Sequence, residues 1–342
     1  MSPGPHTRRR SVTAIVALVV MLGVAMLAGV GLGAVSVAPS DALGAIGRML
    51  NGAAKLPGDA VIVDIRLPRV VLAALVGACL ASAGVLYQAL FRNPLADPYI
   101  LGMSAGAGLG AVIALTLTAG ATALRFGLVP AGAFLGAILT IIVVVRLASL
   151  RGVLDVTSLL LAGVALSYVL AALSSFIMVF FRESMTSVVF WMMGGLTGAS
   201  WPYVWMVAPM LALGLAVPLF ATREMNILLL GEERAAELGV DVERFKRVLL
   251  AAGSLLVAGA VSVSGLIGFV GLMTPHMVRL VLGPDHRVLL PASAIGGAVV
   301  MVLADLAART VLAPVELPVG IVTALVGGPF FVWLLVRRNG HR

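Results

Sequence analysis

Residues 70–98 read VVLAALVGACLASAGVLYQALFRNPLADP. The stretch 70–91 carries no Asp, Glu, Lys or Arg, and about 20 apolar residues suffice for one helix to cross the hydrocarbon core of a bilayer. The stretch 92–98 then places Pro94 and Pro98 on either side of Leu95, Ala96 and Asp97. Proline lacks the donor a helix needs and disfavours helical backbone before it, so the helix stops there. An apolar run closed by a charged, broken turn is the unit of this chain. Further charge-free runs span 11–40, 98–124, 126–145, 156–181, 184–222, 248–278, 288–304 and 317–336.

Nine runs do not mean nine helices. The run 184–222 is too long for one straight span and holds Pro202, Pro209 and Pro218. It reads as a short interfacial or re-entrant piece near 188–196, followed by a span near 203–221. The run 248–278 holds Pro275 and the glycines Gly265, Gly268 and Gly271. It reads as a span to about 269 and a short broken helix over 272–283. The run from 288 extends past Asp305 and Arg309 to about 312. The expectation is an all-α polytopic membrane protein of ten helices, one domain over residues 1–342.

Charge placement agrees with ten. Arginines mark both ends, Arg8 to Arg10 and Arg337, Arg338 and Arg342. Basic residues favour the cytoplasmic side, so both termini inside requires an even count. With ten spans, 16 basic residues fall inside and 7 outside. Tails 1–11 and 337–342 and the polar insert 223–247 are then cytoplasmic.

Composition excludes other classes. Across 342 residues, 61% are hydrophobic and 11% charged, with a mean hydropathy of +1.12; soluble domains carry about 25% charged residues. A soluble enzyme and a disordered chain are ruled out, and the unbroken runs disfavour a β-barrel, whose strands alternate. The net charge of +8 comes from 21 Arg and 2 Lys, thinly scattered; it reads as membrane topology rather than nucleic-acid binding. Cys79 is the single cysteine and forms no intrachain disulfide. The first apolar run, reaching Ser36, is longer than a signal-peptide core of about 7–15 residues, which favours a retained helix.

Motifs for chemistry are missing from the sequence. Neither Lys55 nor Lys246 follows a glycine, so no phosphate-binding Gly-x-x-x-x-Gly-Lys loop exists. His276 and His286 stand ten apart, unsuited to a shared metal on one helix face. No cofactor, metal or catalytic residue is expected. Gly102, Gly106 and Gly110 recur every four residues within an apolar run, the pattern of close helix packing in lipid rather than a dinucleotide loop.

Polar residues that interrupt apolar sequence are the informative ones. Asn93 and Asp97 are costly in lipid and should face protein or a water-filled path; a rigid interhelical turn is the plainer alternative. The segment 271–279, with Pro275, His276 and Arg279, is similarly broken, and two breaks in corresponding places suggest inverted repeats. Arg66, Arg69 and Arg309 gather on the outer side. They are either snorkelling anchors with one Asp305–Arg309 pair, or a basic rim for an acidic partner. The insert 223–247, read as two short helices with Gly239 as a C-terminal stop and Asp241 as an N-cap, is either a solvated loop or a docking surface.

Several motifs resemble the FecCD/BtuC-like permeases of ABC importers: Arg66-Leu67-Pro68-Arg69, Tyr87 through Pro98 with Leu101-Gly102, Leu160 through Ala165, Trp191 through Gly195, Leu230-Gly231-Glu232 with Ala236-Glu237-Leu238-Gly239, and Gly268 through Leu272. The last third adds Pro275-His276, Asp285-His286-Arg287, Ala304-Asp305 and Glu316 through Gly320. The likeness covers roughly residues 60–338. It implies a homodimer in the inner membrane of a bacterium, two cytoplasmic ABC ATPase subunits, and an extracytoplasmic substrate-binding protein. It implies ATPase coupling through Leu230, Gly231, Glu232, Ala236, Glu237, Leu238 and Gly239. Binding-protein docking falls on Arg66, Arg69 and Arg309, and a cytoplasmic gate on Asn93, Leu95, Thr157 and Ser158. The implied cargo is a bulky iron chelate (siderophore or haem) or cobalamin, with iron chelates forming the broader branch. An ion-coupled secondary transporter is the alternative, with Asp305 its main acid; a membrane-embedded hydrolase lacks a nucleophile–base pair.

Overall fold

The computed structural model describes residues 5–33, 37–54, 56–118, 122–149, 152–181 and 185–339. Lys55, Arg151, Arg182 and Arg342, all used in the charge count, lie outside the described residues, as do the extreme ends of both expected tails. Among the described residues the regular structure is all helical, without strands.

The stretch 70–91 forms the centre. Helix α3 (Leu67–Leu90) continues from a wide turn, Val61–Arg66, and Leu72, Val76, Leu80, Leu86 and Tyr87 along it are wholly buried. A helix apolar on every side belongs inside a bundle. Around it stand α1 (Pro5–Gly31), α8 (Trp201–Phe220), α11 (Val242–Ser264), α12 (Val270–Leu282) and α13 (His286–Thr310). A second group, α4 (Met103–Leu117), α5 (Thr122–Ala148) and α6 (Val156–Phe180), packs beside α11, and α14 (Val319–Asn339) lies against α12 and α13. Among the described residues, seven helices are long and apolar enough to cross a membrane, and α4, α12 and α14 contain shorter apolar helices. These ten are the expected spans.

Close packing follows the small residues. Gly106 and Gly110 of α4 meet Gly136 and Gly132 of α5 backbone to backbone, as their four-residue spacing anticipates. Gly84 of α3 abuts the carbonyl of Gly271 in α12 with no room for a Cβ.

Differences from the sequence reading have local causes. The segment between α1 and α3 contains a helix, α2 (Pro39–Leu50), which the charge-free runs do not reveal because Asp41 and Arg48 lie within it. Helix α1 begins at Pro5 and α14 ends at Asn339, so most of the segments read as tails are helical; arginine is a good helix former. The short interfacial or re-entrant piece expected near 188–196 falls on a helix displaced towards the N-terminus, α7 (Met185–Met192). The insert holds α9 (Thr222–Leu228) and α10 (Glu232–Glu237), with Gly239 at φ +84° just past α10. Asp241 does act as an N-cap, accepting from the Arg244 N–H at 3.1 Å, but the helix it starts is α11 itself rather than a separate short one.

Candidate functional site: two polar clusters at opposite ends of the bundle

At the end where α3 begins, Arg66, Arg69 and Arg309 come together. The last turn of any helix leaves carbonyls without partners. Here α1 finishes with two guanidiniums over it. Arg66 Nη1 donates to the Val30 and Gly31 carbonyls at 2.8 and 3.2 Å, and Arg309 Nη2 donates to Gly29 O at 2.9 Å. Cations at that position also favour the helix dipole. Arg309 Nε lies 3.0 Å from Asp305 Oδ2, the expected pairing one turn apart. Arg69 Nε donates to the other Asp305 oxygen at 3.0 Å, and its Nη atoms reach Glu316 at 3.0 Å. Arg69 and Arg309 thus face two carboxylates, while Arg66 lies on the carbonyls that end α1. Arg66 and Arg309 are buried, and the Arg69–Glu316 pair is the outward part of the cluster. Glu316 is a partner the charge-free runs did not reveal, because it stands in a loop.

At the end where α3 finishes, the broken turn is built from its own side chains. Asn93 Oδ1 accepts from the Leu95 N–H at 2.9 Å, and Asp97 Oδ1 accepts from the Tyr99 N–H at 2.7 Å, capping a short 3-10 turn, Pro98–Leu101. Asn93 and Leu95 are exposed. Burial pushes the Asp97 carboxyl above the ordinary carboxylate range, partly offset by the Tyr99 N–H. Gly102 closes the turn at φ +80°, a conformation that suits glycine, and its α-carbon sits on the Gly163 carbonyl of α6.

The two breaks touch. Tyr99 OH donates to Ile267 O at 3.1 Å, and Pro98 packs on Gly271. Each break holds one non-glycine residue at positive φ, Arg92 at 49° and Phe269 at 68°, and such conformations gather at switch regions. Thr157 and Ser158 open α6. Asp155 accepts from the Ser158 N–H at 2.7 Å, and these Ser158 bonds hold its carboxyl below the usual range.

The insert is joined to both segments. Lys246 Nζ bonds Glu232 of α10 at 2.9 Å, Glu243 at 2.6 Å and the Leu154 carbonyl at 2.8 Å. Glu243 Oε2 accepts from the Leu154 N–H at 2.9 Å. Arg92 Nη2 stands 3.8 Å from the second Glu232 oxygen. Lys246 was legible only as one of two lysines in an arginine-rich chain.

A model of the FecCD transport family matches residues 19–337. The chain belongs to the FecCD transport family. Among relatives, a cobalamin import system permease of Halobacterium salinarum is 50% identical over 279 residues, covering 82% of this chain and 74% of that one. A vitamin B12 import system permease of Escherichia coli is 40% identical over 281 residues, covering 82% and 85%. A solved metal-chelate type ABC transporter, captured facing inward, superposes with a TM-score of 0.80 at 31% identity, covering 94% of this chain and 98% of that one. As a FecCD protein the chain is an ABC importer permease, a multi-pass membrane protein of the BtuC-like fold.

Proposed function

We propose that this permease moves cobalamin inward as one half of a homodimer, driven by two ATPase subunits on the face that carries α9 and α10. The observation that carries the cargo is identity: relatives at 50% and 40% over most of both chains bear the names of cobalamin and vitamin B12 import permeases. It favours cobalamin over the iron chelates, which the breadth of their branch of the family alone favours. A metal chelate is the second reading, favoured by the 31% identical transporter of that type.

In this reading both termini are cytoplasmic. Arg69 with Glu316, supported from behind by Arg66 and Arg309, meets an acidic binding protein outside. Asn93 and Leu95, with Thr157 and Ser158, close the path inside. Residues Leu230 to Gly239 receive the ATPase. Leu161, Tyr168 and Phe176 of α6 are exposed, and Leu159, Gly163 and Ser174 are its buried residues, which supports a path or partner surface along the open side of that helix.

The test is reconstitution of the permease with an ATPase subunit and binding protein in liposomes. The expected result is vanadate-sensitive uptake of radiolabelled cobalamin that outpaces uptake of a ferric siderophore. Uptake driven by a proton gradient without ATP would overturn the importer reading; uptake of the siderophore alone would overturn the cargo.

A further inference from the structure

Lys246 lies one turn into α11 and is 2% exposed. A buried ammonium is costly unless its three donors are met. Here each has its own acceptor, and the three acceptors come from different places: Glu232 on the insert, Glu243 on α11, and the Leu154 carbonyl in the turn before α6. Because Glu243 also takes the Leu154 N–H, that peptide is gripped on both edges. Arg247 Nη2 adds a longer contact to Gly152 O at 3.4 Å. One residue beyond Leu154, Asp155 caps the helix that opens with Thr157 and Ser158. On the other side of the insert, Glu232 faces Arg92, which directly precedes Asn93. Arg92 also lies on Gly231, where a Cβ would stand 3.7 Å from Nη1.

We propose that Lys246 is a positioning residue that transmits displacement of α10 to the turn 152–155, with Glu232 as the shared joint that also engages Arg92. The proposal rests on the importer reading above, since it takes α10 as the part an ATPase moves and 157–158 and 93–95 as the parts that must respond. A shift of Glu232 cannot leave Lys246 in place without breaking a charge-assisted hydrogen bond, and Lys246 cannot move without drawing on the Leu154 carbonyl. Two arrangements of the insert therefore carry two arrangements of the turn, the differential contact that a population shift requires. No ATPase can touch Lys246 directly, because it is buried.

A purely structural lysine would show in stability alone, so the test uses two other readouts on the full transporter complex. The first is the ratio of ATP hydrolysed to cobalamin imported. In Lys246→Gln this ratio rises about tenfold, as expected for loss of one charged hydrogen bond, while the ATPase still co-purifies; Lys246→Arg restores it. The second readout needs no cargo. Val153, in the gripped turn, is 57% exposed, and the native Cys79 is buried. A Val153→Cys thiol changes its rate of maleimide labelling when nucleotide is added, and the change disappears on Lys246→Gln or on the gentler Glu232→Gln. A wrong cargo would void the first readout and leave the second intact. A labelling response that persists in both variants, or that is absent from the otherwise wild-type complex, overturns the proposal; so does a Lys246→Gln complex whose hydrolysis and uptake fall in proportion.

Discussion

The Arg309 guanidinium faces the Asp305 carboxylate on one side and the end of α1 on the other. Removing it leaves a buried acid short of one partner and a set of carbonyls without their donor. Breaking a buried pair costs about 3–5 kcal/mol, and Arg69 still serves Asp305, so Arg309→Met should cost about 3 kcal/mol, the low end of that range. Adding Asp305→Asn should cost less in that variant than in the wild-type protein, because one of the acid's two partners is already gone. Thermal unfolding of the two single variants and the double variant in detergent checks this; costs that simply add would refute the pairing argument. The i,i+4 pair was legible in the sequence, since helical spacing dictates it. The inward turn of Arg66 onto Val30 and Gly31 was not, because nothing in the residue order says which way a long side chain points. The grip on Leu154 was hidden for the same reason: the acceptors of Lys246 stand at Glu232, Glu243 and the Leu154 carbonyl, brought together only by the fold.

At the level of the elements, lipid makes the sequence readable. A spanning helix must satisfy its own backbone, so runs such as 156–181 announce themselves, and Pro94, Pro98 and the glycines near Gly265 mark where helices break. Helix α2 follows different rules. It is amphipathic, with Ala42 and Ala45 buried and Leu50 exposed, and its charges disguise it as a loop. The contact between α3 and α12 leaves no space for a side chain at Gly84. A Gly84→Val substitution has no pocket to enter, since the Gly271 carbonyl occupies the space. Overpacking costs typically about 1–3 kcal/mol, and a displaced α12 would also disturb the Tyr99–Ile267 contact. The expected outcome is reduced melting temperature and reduced transport together, whereas Gly108→Ala on α4, where a Cβ meets nothing within 4 Å, should be silent in both.

For the whole molecule, the two polar clusters occupy opposite ends of α3, and in the cluster at its start the Arg69–Glu316 pair is the exposed one. Arg69 is the member of the arginine trio with an exposed counter-ion, Glu316. An acidic binding protein would compete with that carboxylate. Exposed charge pairs are screened over about 8–10 Å at ordinary ionic strength. Arg69→Gln should therefore weaken docking of the binding protein severalfold at low salt and much less in strong salt. Surface plasmon resonance across a salt series measures this; a loss independent of salt would point to misfolding of the cluster instead.

Helix α3 has one more consequence, which concerns how the protein is made. Its packing partners on most sides are α11, α12 and α13, and Ser264, the end of α11, follows Leu90 by 174 residues. At about 5–20 residues per second of synthesis, that interval is roughly 9–35 s. During it α3 has left the ribosome with its notches at Gly77 and Gly84 unfilled by the helices they are shaped for. The first half of the chain is therefore an inserted but unfinished object, and lipid or a membrane chaperone must keep the place of the second half until it arrives.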